Sequence, residues 1–110
     1  DAYYKKALQV RTLIQREFDR VLESCDLILA PVAPTTAYKI GEKTSDPLQM
    51  YLGDVCTVPV NIAGLPALSL PCGEDRDGLP VGMQLIGKAY SETLLYRAGY
   101  AFEQAGKEDR

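Results

Sequence analysis

Residues 60–73, with the sequence VNIAGLPALSLPCG, restrict the fold more than any other part of the chain. The segment is almost entirely apolar, yet two prolines and two glycines interrupt it, so neither a single helix nor a single strand can run through it. Gly64 is typical of the left-handed residue that ends a helix, and the residue before Pro66 is restricted to an extended conformation. The sequence therefore predicts a tight corner, at which a short helix is followed at once by a strand.

Helical and strand patterns continue on both sides of this corner. The predicted helices cover residues 2–25, 46–54, 57–63 and 91–106. The predicted strands cover residues 27–31, 67–71 and 81–87, and a loop rich in proline and threonine covers residues 31–45. The last two strands are expected to pair antiparallel through a turn that contains Asp77 and Gly78. This order predicts an α/β fold in layers, with a mixed sheet.

Several details of these elements can be predicted as well. Asp46, Thr57 and Ser91 have the side chains expected at helix N-caps, and Gly106 is the residue expected to end the last helix. That helix should bury the side that carries Leu94, Leu95, Ala98, Ala101, Phe102 and Ala105. The strand over 27–31 is apolar on both faces, so both faces should be covered. In the strand over 81–87, Val81, Met83 and Leu85 should face one side, and Gln84 and Ile86 the other.

The first residues already have a helical pattern, and the chain has no initial methionine. Both features predict a piece of a longer protein, with residues 1–110 forming a single incomplete domain. If the sheet continues in the missing sequence, one of its edges is bare here. Because bare edges pair with other chains, self-association is an expected consequence.

Composition argues against several classes of function. The net charge of −3 is the wrong sign for a surface that grips nucleic-acid phosphates, and no apolar run is long enough to span a membrane. The three cysteines show no CxxC spacing and the chain has no histidine, so neither a zinc site nor a Cys–His pair is expected. Buried free thiols in a reducing compartment are the simplest interpretation. The four serines, at positions 24, 45, 69 and 91, lie in no glycine-rich elbow, and no spacing pairs one with Lys39, Lys43 or Lys88.

Two charged residues stand out from this background. Arg11 falls inside the apolar stripe of the helix over 2–25, where an ion pair to a neighbouring element is favoured over a substrate contact. Asp54 lies between two short helices with no basic residue within ten positions on either side. Its carboxylate could cap the helix over 57–63, or it could bind a cation from elsewhere. Position alone favours the cap.

Long stretches of the chain resemble the C-terminal part of amidase signature enzymes. They are DPLQMYLGDVCTVPVNIAGLPALSLPCG and DGLPVGMQLIGKAYSETLL, together with DAYYKKALQVRTLI and APVAPTTAYKIGEKTSDPL. Within that family the chain is most similar to the A subunits of the aspartyl/glutamyl-tRNA amidotransferases. The resemblance covers essentially the whole chain.

The resemblance implies a parent protein that hydrolyses glutamine with a serine–serine–lysine triad, in a cytoplasmic complex with B and C subunits. The B subunit would meet the charged tRNA, and would use ATP and Mg²⁺ to amidate its glutamate or aspartate with the ammonia released. The triad lies in stretches that this sequence does not contain, so these residues alone are expected to be inactive, without a catalytic residue or cofactor of their own.

One site residue carries over by the same resemblance. Asp54 matches the aspartate that binds the α-amino group of glutamine, and this match places the substrate interpretation above the cap. The arginine that binds the α-carboxylate matches no position here, and Arg11 does not replace it. Thr35 and Thr36 are secondary candidates for the wall of the same pocket.

Two other interpretations stay open at this point. The chain could belong to a stand-alone amidase that acts on another amide, with the same fold and no need for an amino-group anchor. It could also be a non-catalytic interaction module that binds a partner through an exposed sheet edge.

Overall fold

The computed structural model describes residues 1–42 and 46–108. Its helices are α1 (Ala2–Ser24), α2 (Pro47–Leu52), α3 (Val58–Ala63) and α4 (Glu92–Glu108), and its strands are β1 (Ile28–Pro31), β2 (Ala67–Glu74) and β3 (Pro80–Ile86). The α/β class is confirmed, and an element lies at each predicted position. Residues 43–45 of the predicted loop, which include Lys43 and Ser45, lie outside the described residues.

The three strands form one sheet in the order β1-β3-β2. Both pairs are antiparallel, so the predicted hairpin of β2 and β3 is confirmed. The parallel pairing that a mixed sheet requires does not occur among the three described strands, because a tight turn reverses the chain before β3 and β1 also runs opposite to β3. Gln84 lies in the central strand between Ala30 of β1 and Ser69 of β2.

Helices cover both faces of this sheet. α4 packs against β2 and β3, and Gly99 of α4 lies directly over Leu68 and Leu70. α3 lies over the opposite face, and α1 packs against α3. Since side chains alternate along a strand, Met83 lies on the α4 face and Gln84 on the α3 face, as predicted.

The apolar core is small. Its buried residues are Leu22, Val60, Ala63, Leu70, Met83, Ile86 and Leu95. Two predictions about burial are wrong in part. On α4, Leu95 is buried and Ala98 is half-buried, but Leu94, Ala101, Phe102 and Ala105 are exposed. Leu29 of β1 is 66% exposed. β1 is an edge strand, and no described element covers Leu29, which explains the second difference.

The corner at the end of α3 is built as predicted. Gly64 has a φ of 71° and donates its backbone N–H to the carbonyls of Val60 and Asn61. Asp46 is confirmed as the N-cap of α2, since its carboxylate accepts from the backbone N–H of Leu48 at 3.1 Å.

The other predicted helix ends differ from the structure. Thr57 occupies the N-cap position of α3, but its hydroxyl donates backward to the Asp54 carbonyl at 3.3 Å. Ser91 precedes α4, and its hydroxyl donates to the Lys88 carbonyl at 2.6 Å. Gly106 does not end α4, which runs to Glu108. One glycine near a helix end disfavours the helix by only about 1 kcal/mol, which the rest of α4 overcomes.

The molecule is flat and open. Its extents are 54 × 40 × 17 Å and its radius of gyration is 16.5 Å, whereas a compact chain of this length has about 13 Å. Large apolar side chains face outward along the first half of α1, and Tyr3 is 91% exposed. Among the described residues, no helix combines the length and the apolar character needed to cross a membrane.

Candidate functional site

Asp54 lies in the turn over residues 53–57 that joins α2 to α3. Its main chain fixes this turn: the N–H donates to the Tyr51 carbonyl at 3.1 Å, and the carbonyl accepts from the N–H groups of Thr57 and Val58, each at 3.1 Å. The first donors of α3 are therefore satisfied by the Asp54 carbonyl. Because the backbone already fills this role, the carboxylate is not needed as a cap.

The Asp54 carboxylate itself is exposed and accepts no hydrogen bond from the described residues. An ionised carboxylate with four open acceptor positions is a suitable partner for an ammonium group. The structure thus leaves the predicted substrate-binding residue available. Its binding of a substrate stays a prediction.

Gln84 connects this turn to the sheet. It is 3% exposed, and its Nε2 donates to the carbonyl of Cys56 at 2.8 Å and to that of Pro31 at 2.9 Å. Two carbonyls can be satisfied only by the amide nitrogen, so the orientation of the side chain is determined by its partners. The amide holds the end of β1 and the Asp54 turn against the central strand.

A surface cavity of about 260 Å³ lies between α3 and the sheet, beside this turn. Its polar lining comes from Thr57, Asn61, Ser69 and Gln84. A larger cavity, of about 670 Å³, lies between the β2–β3 hairpin and the end of α4. Asp54 lines neither of these two cavities, but the smaller one is bordered by Thr57 of the Asp54 turn and by Gln84.

Arg11 does tie α1 to a neighbouring element, as predicted, but not through an ion pair and not as a buried residue. It is exposed, and its Nε donates to the Ile62 carbonyl of α3 at 3.1 Å. Gln15, one turn later on α1, donates to the Ala63 carbonyl at 3.3 Å. The last carbonyls of a helix have no partner within it, so they attract donors and positive charge. The Ile62 carbonyl at the end of α3 is therefore the partner of the Arg11 guanidinium, in place of the carboxylate that was predicted.

Thr36 makes a contact that the sequence does not indicate. Its hydroxyl donates to the Asp75 carboxylate at 2.7 Å, and the same carboxylate accepts from the backbone N–H groups of Asp77 and Leu79, each at 2.9 Å. These bonds, that of Thr36 foremost, hold the pKa of Asp75 below its ordinary value of 3.8 against the opposing effect of burial. Thr36 thus ties the loop after β1 to the hairpin, whereas Thr35 is exposed. Neither residue lines the smaller cavity.

No nucleophile with a base is assembled in the described residues. The hydroxyls of Ser24 and Ser91 donate to backbone carbonyls, and no hydrogen bond joins a serine to a lysine side chain there. The three cysteines are free, but Cys25 and Cys72 are exposed, so the prediction of buried thiols is wrong for these two. Cys25 follows the last turn of α1, and Cys72 lies at the irregularity of β2. Across residues 1–42 and 46–108, no three Cys, Asp or Glu side chains gather as a group that could hold a metal ion.

Gln84, Gln15 and Asp75 were missed as functional or connecting residues. The sequence did contain an indication for Gln84. In VGMQLIG it is the one amide among apolar residues, and the strand pairs with another strand on each side. A buried amide needs partners, so its position should have indicated a connection. Gln15 and Asp75 lie on exposed or half-buried surface and carry no such signal.

Comparison with known proteins places this architecture among characterised ones. Residues 1–96 match the family model described as Amidase. The A subunit of the glutamyl-tRNA(Gln) amidotransferase of Geobacillus thermodenitrificans is 62% identical over 105 residues, which cover 96% of this chain and 21% of that protein. The chain spans about a fifth of the length of the curated relatives that it matches.

Solved structures agree with this likeness. The crystal structure of the A subunit of glutamyl-tRNA(Gln) amidotransferase from Thermotoga maritima matches with a TM-score of 0.82 and 48% identity, over 87% of this chain and 21% of that one. An allophanate hydrolase of Kluyveromyces lactis matches with a TM-score of 0.71 and 31% identity, over 86% of this chain and 15% of that one.

Proposed function

Because this chain belongs to the amidase family, we propose that it forms one wall of the glutamine site in the A subunit of a tRNA amidotransferase. In this proposal it is the C-terminal segment of that subunit. The Asp54 carboxylate binds the α-ammonium group of glutamine, and the groups that cleave the amide lie in other parts of the subunit.

The reaction of the whole subunit is the hydrolysis of the glutamine side-chain amide to glutamate and ammonia. A serine–serine–lysine triad outside these residues performs this step. The ammonia passes to a B subunit that uses ATP and Mg²⁺ to amidate glutamate or aspartate on its tRNA, with a C subunit completing the cytoplasmic complex. These 110 residues alone would not cleave an amide.

The observation that carries the proposal is the identity of 62% to the A subunit of an amidotransferase over nearly the whole chain, against 31% to an allophanate hydrolase. It supports an amidotransferase over a stand-alone amidase. A non-catalytic interaction module gains no support from these relatives.

The chemistry of the Asp54 turn supports the same proposal. Glutamine differs from a simple amide by its α-ammonium and α-carboxylate groups, so a site specific for it needs an anion. Asp54 is an exposed carboxylate on a turn that is held by backbone and side-chain hydrogen bonds, among them those of its own N–H and carbonyl and that of Gln84. Since the backbone of this turn is held and the carboxylate has no local partner, it can pair with the ammonium without first breaking another hydrogen bond.

The test replaces Asp54 with Asn in the full-length protein, assembled with its partners. Loss of one charge-assisted hydrogen bond removes about 1.5–3 kcal/mol, so kcat/KM for glutamine should fall by about 10- to 150-fold, mainly through KM. Steady-state glutaminase kinetics measure this effect. The matched control is Asp19→Asn, which neutralises an exposed carboxylate on α1. An unchanged KM for glutamine in Asp54→Asn would remove Asp54 from the site.

A second measurement separates the amidotransferase from a stand-alone amidase. The full complex is given glutamine, ATP and glutamyl-tRNA(Gln), and the formation of glutaminyl-tRNA is followed. Amidation that depends on glutamine supports the proposal. Glutamine hydrolysis without any transfer to tRNA in the complete complex would contradict it.

A further inference from the structure

The turn that carries Asp54 has few attachments to the rest of the molecule. α2, which precedes it, has no buried residue, and Asp54 and Val55 are exposed. The hydrogen bonds within residues 46–58 are local ones between neighbours. Among the described residues, the bond from Gln84 to the Cys56 carbonyl is the one hydrogen bond that reaches this turn from a distant part of the chain.

Gln84 is well suited to hold this turn in place. It lies in the central strand, which pairs on both sides, so its backbone is among the most constrained in the molecule. The residues beside it in the sheet, Ala30 and Ser69, are small and leave room for the side chain to rise from the sheet toward the turn. One planar amide then joins two carbonyls that lie 25 residues apart in the sequence, those of Pro31 and Cys56.

We infer that Gln84 is a positioning residue, which fixes the Asp54 carboxylate for the α-ammonium group of glutamine by holding the Cys56 carbonyl against the sheet. The inference rests on the proposed function of Asp54. Gln84 does not touch the substrate in this account. It acts through two residues of backbone, since Asp54 and Cys56 belong to the same turn.

A purely structural role predicts different results. A buried amide that only stabilises the core should, when replaced, lower stability and activity toward every substrate alike. A positioning residue should affect only what Asp54 recognises. The useful probe is therefore a pair of substrates, glutamine and glutaramate, because glutaramate carries the same amide and carboxylate but has no α-ammonium group.

The experiment uses Gln84→Met in the full-length protein with its partners, since methionine has a similar volume but donates no hydrogen bond. We expect KM for glutamine to rise about tenfold, with kcat changed by less than about twofold. Hydrolysis of glutaramate should change by less than about twofold. In a double-mutant cycle, Gln84→Met should add less than about twofold to the effect of Asp54→Asn, because residues that act through one another are not additive.

The control is Gln15→Met. Gln15 makes the same kind of bond, from its amide nitrogen to the Ala63 carbonyl at the end of α3, which lies outside the Asp54 turn. This variant makes the same substitution without releasing the turn, so KM for glutamine should not change. If Gln84→Met does not fold, Gln84→Asn replaces it, since its shorter amide cannot span both carbonyls.

Several results would overturn the positioning role of Gln84. Equal losses for glutamine and glutaramate, or additive effects in the cycle, would overturn the positioning role while leaving Asp54 in the site. Insolubility of both Gln84 variants would assign the amide to stability alone and overturn it as well. If Asp54→Asn leaves KM for glutamine unchanged, the proposed function of Asp54 fails, and the role of Gln84 fails with it.

Discussion

Residues 1–57 and residues 58–108 are held together by different forces. Six of the seven buried apolar residues lie in the second part, whereas Leu22 is the one buried apolar residue among the described positions of the first. The first part is attached by the backbone pairing of β1 with β3, by the packing of α1 against α3, and by side-chain hydrogen bonds to backbone carbonyls and a carboxylate. These bonds come from Arg11, Gln15, Thr36 and Gln84.

The difference indicates which part specifies the fold and which part carries the site. Burial of apolar area is not directional and contributes most of the stability of a domain, so residues 58–108 supply the rigid framework. Hydrogen bonds are directional and contribute about 0.5–1.5 kcal/mol each, so they orient a segment more than they stabilise it. Asp54 is in the part that is oriented in this way.

The largest effect on the free energy of unfolding is expected in the apolar core of residues 58–108. Leu95 on α4 is 3% exposed, and replacing it with alanine should lower the free energy of unfolding by about 2–5 kcal/mol through lost burial and a cavity. Urea unfolding measures this change. Leu94, next to it on α4, is 37% exposed, and Leu94→Ala should have a much smaller effect. Equal effects at the two positions would show that the second part has no separate core.

A smaller effect is expected at the corner between α3 and β2. Gly64 has a φ of 71°, and an alanine there is disfavoured by about 1–2 kcal/mol although no atom would clash with its Cβ. Gly64→Ala should therefore lower the thermal midpoint, whereas Gly106→Ala, in open space on α4, should not. A Gly64→Ala variant as stable as the parent would contradict the left-handed conformation.

The bond that attaches α1 to α3 should matter less again. Arg11→Met keeps most of the aliphatic chain but removes the donor to the Ile62 carbonyl, and stability should fall by about 0.5–1.5 kcal/mol. Arg16→Met is the control, as an exposed arginine of the same helix with no hydrogen bond to the described residues. If the two variants behaved alike in urea unfolding, the attachment of α1 would have to come from other contacts.

The sequence predicted the positions of the helices and strands better than the hydrogen bonds that join them. Periodicity and turn chemistry located every element, since Asp46, Gly64 and the Asp77-Gly78 turn act through their immediate neighbours. Burial was predicted less well, because α1 and β1 have apolar sides that no described element covers. A hydrophobic pattern shows that a side is meant to be covered, but not by which residues.

For the candidate site, the sequence proposed Asp54, whose binding of a substrate stays a prediction, and it did not indicate the long-range hydrogen bonds of the fold. Asp54 was identified through a family resemblance, and its charge and isolation in sequence are consistent with that role. Gln84, Thr36 and Arg11 act on carbonyls or carboxylates about 28 to 53 positions away, as in the bonds of Gln84 to Cys56 and Pro31. Such contacts depend on how elements are brought together in space, and no local pattern encodes them.

The smallest effect on stability is expected for the hydrogen bond between Thr36 and Asp75. Its dependence on pH tests whether this polar contact holds the loop after β1. The hydrogen bond from Thr36, with those from Leu79 and Asp77, keeps the pKa of Asp75 below its ordinary value of 3.8 in the folded chain. A carboxyl group with a lowered folded pKa stabilises the fold fully above its ordinary pKa, and this contribution is lost as the pH falls through the lowered value. Acid should therefore weaken the attachment of the loop after β1 to the hairpin.

The measurement compares the stability of the parent chain with that of Thr36→Val as the pH is lowered. The difference between them should be constant above the ordinary pKa of 3.8 and should shrink below it, because protonated Asp75 no longer accepts as strongly from Thr36 in the parent. Thr35→Val, at the exposed neighbour, should differ little from the parent at any pH. A difference for Thr36→Val that is the same on both sides of that pH would mean that the threonine holds its loop by packing and not through the ionised carboxylate.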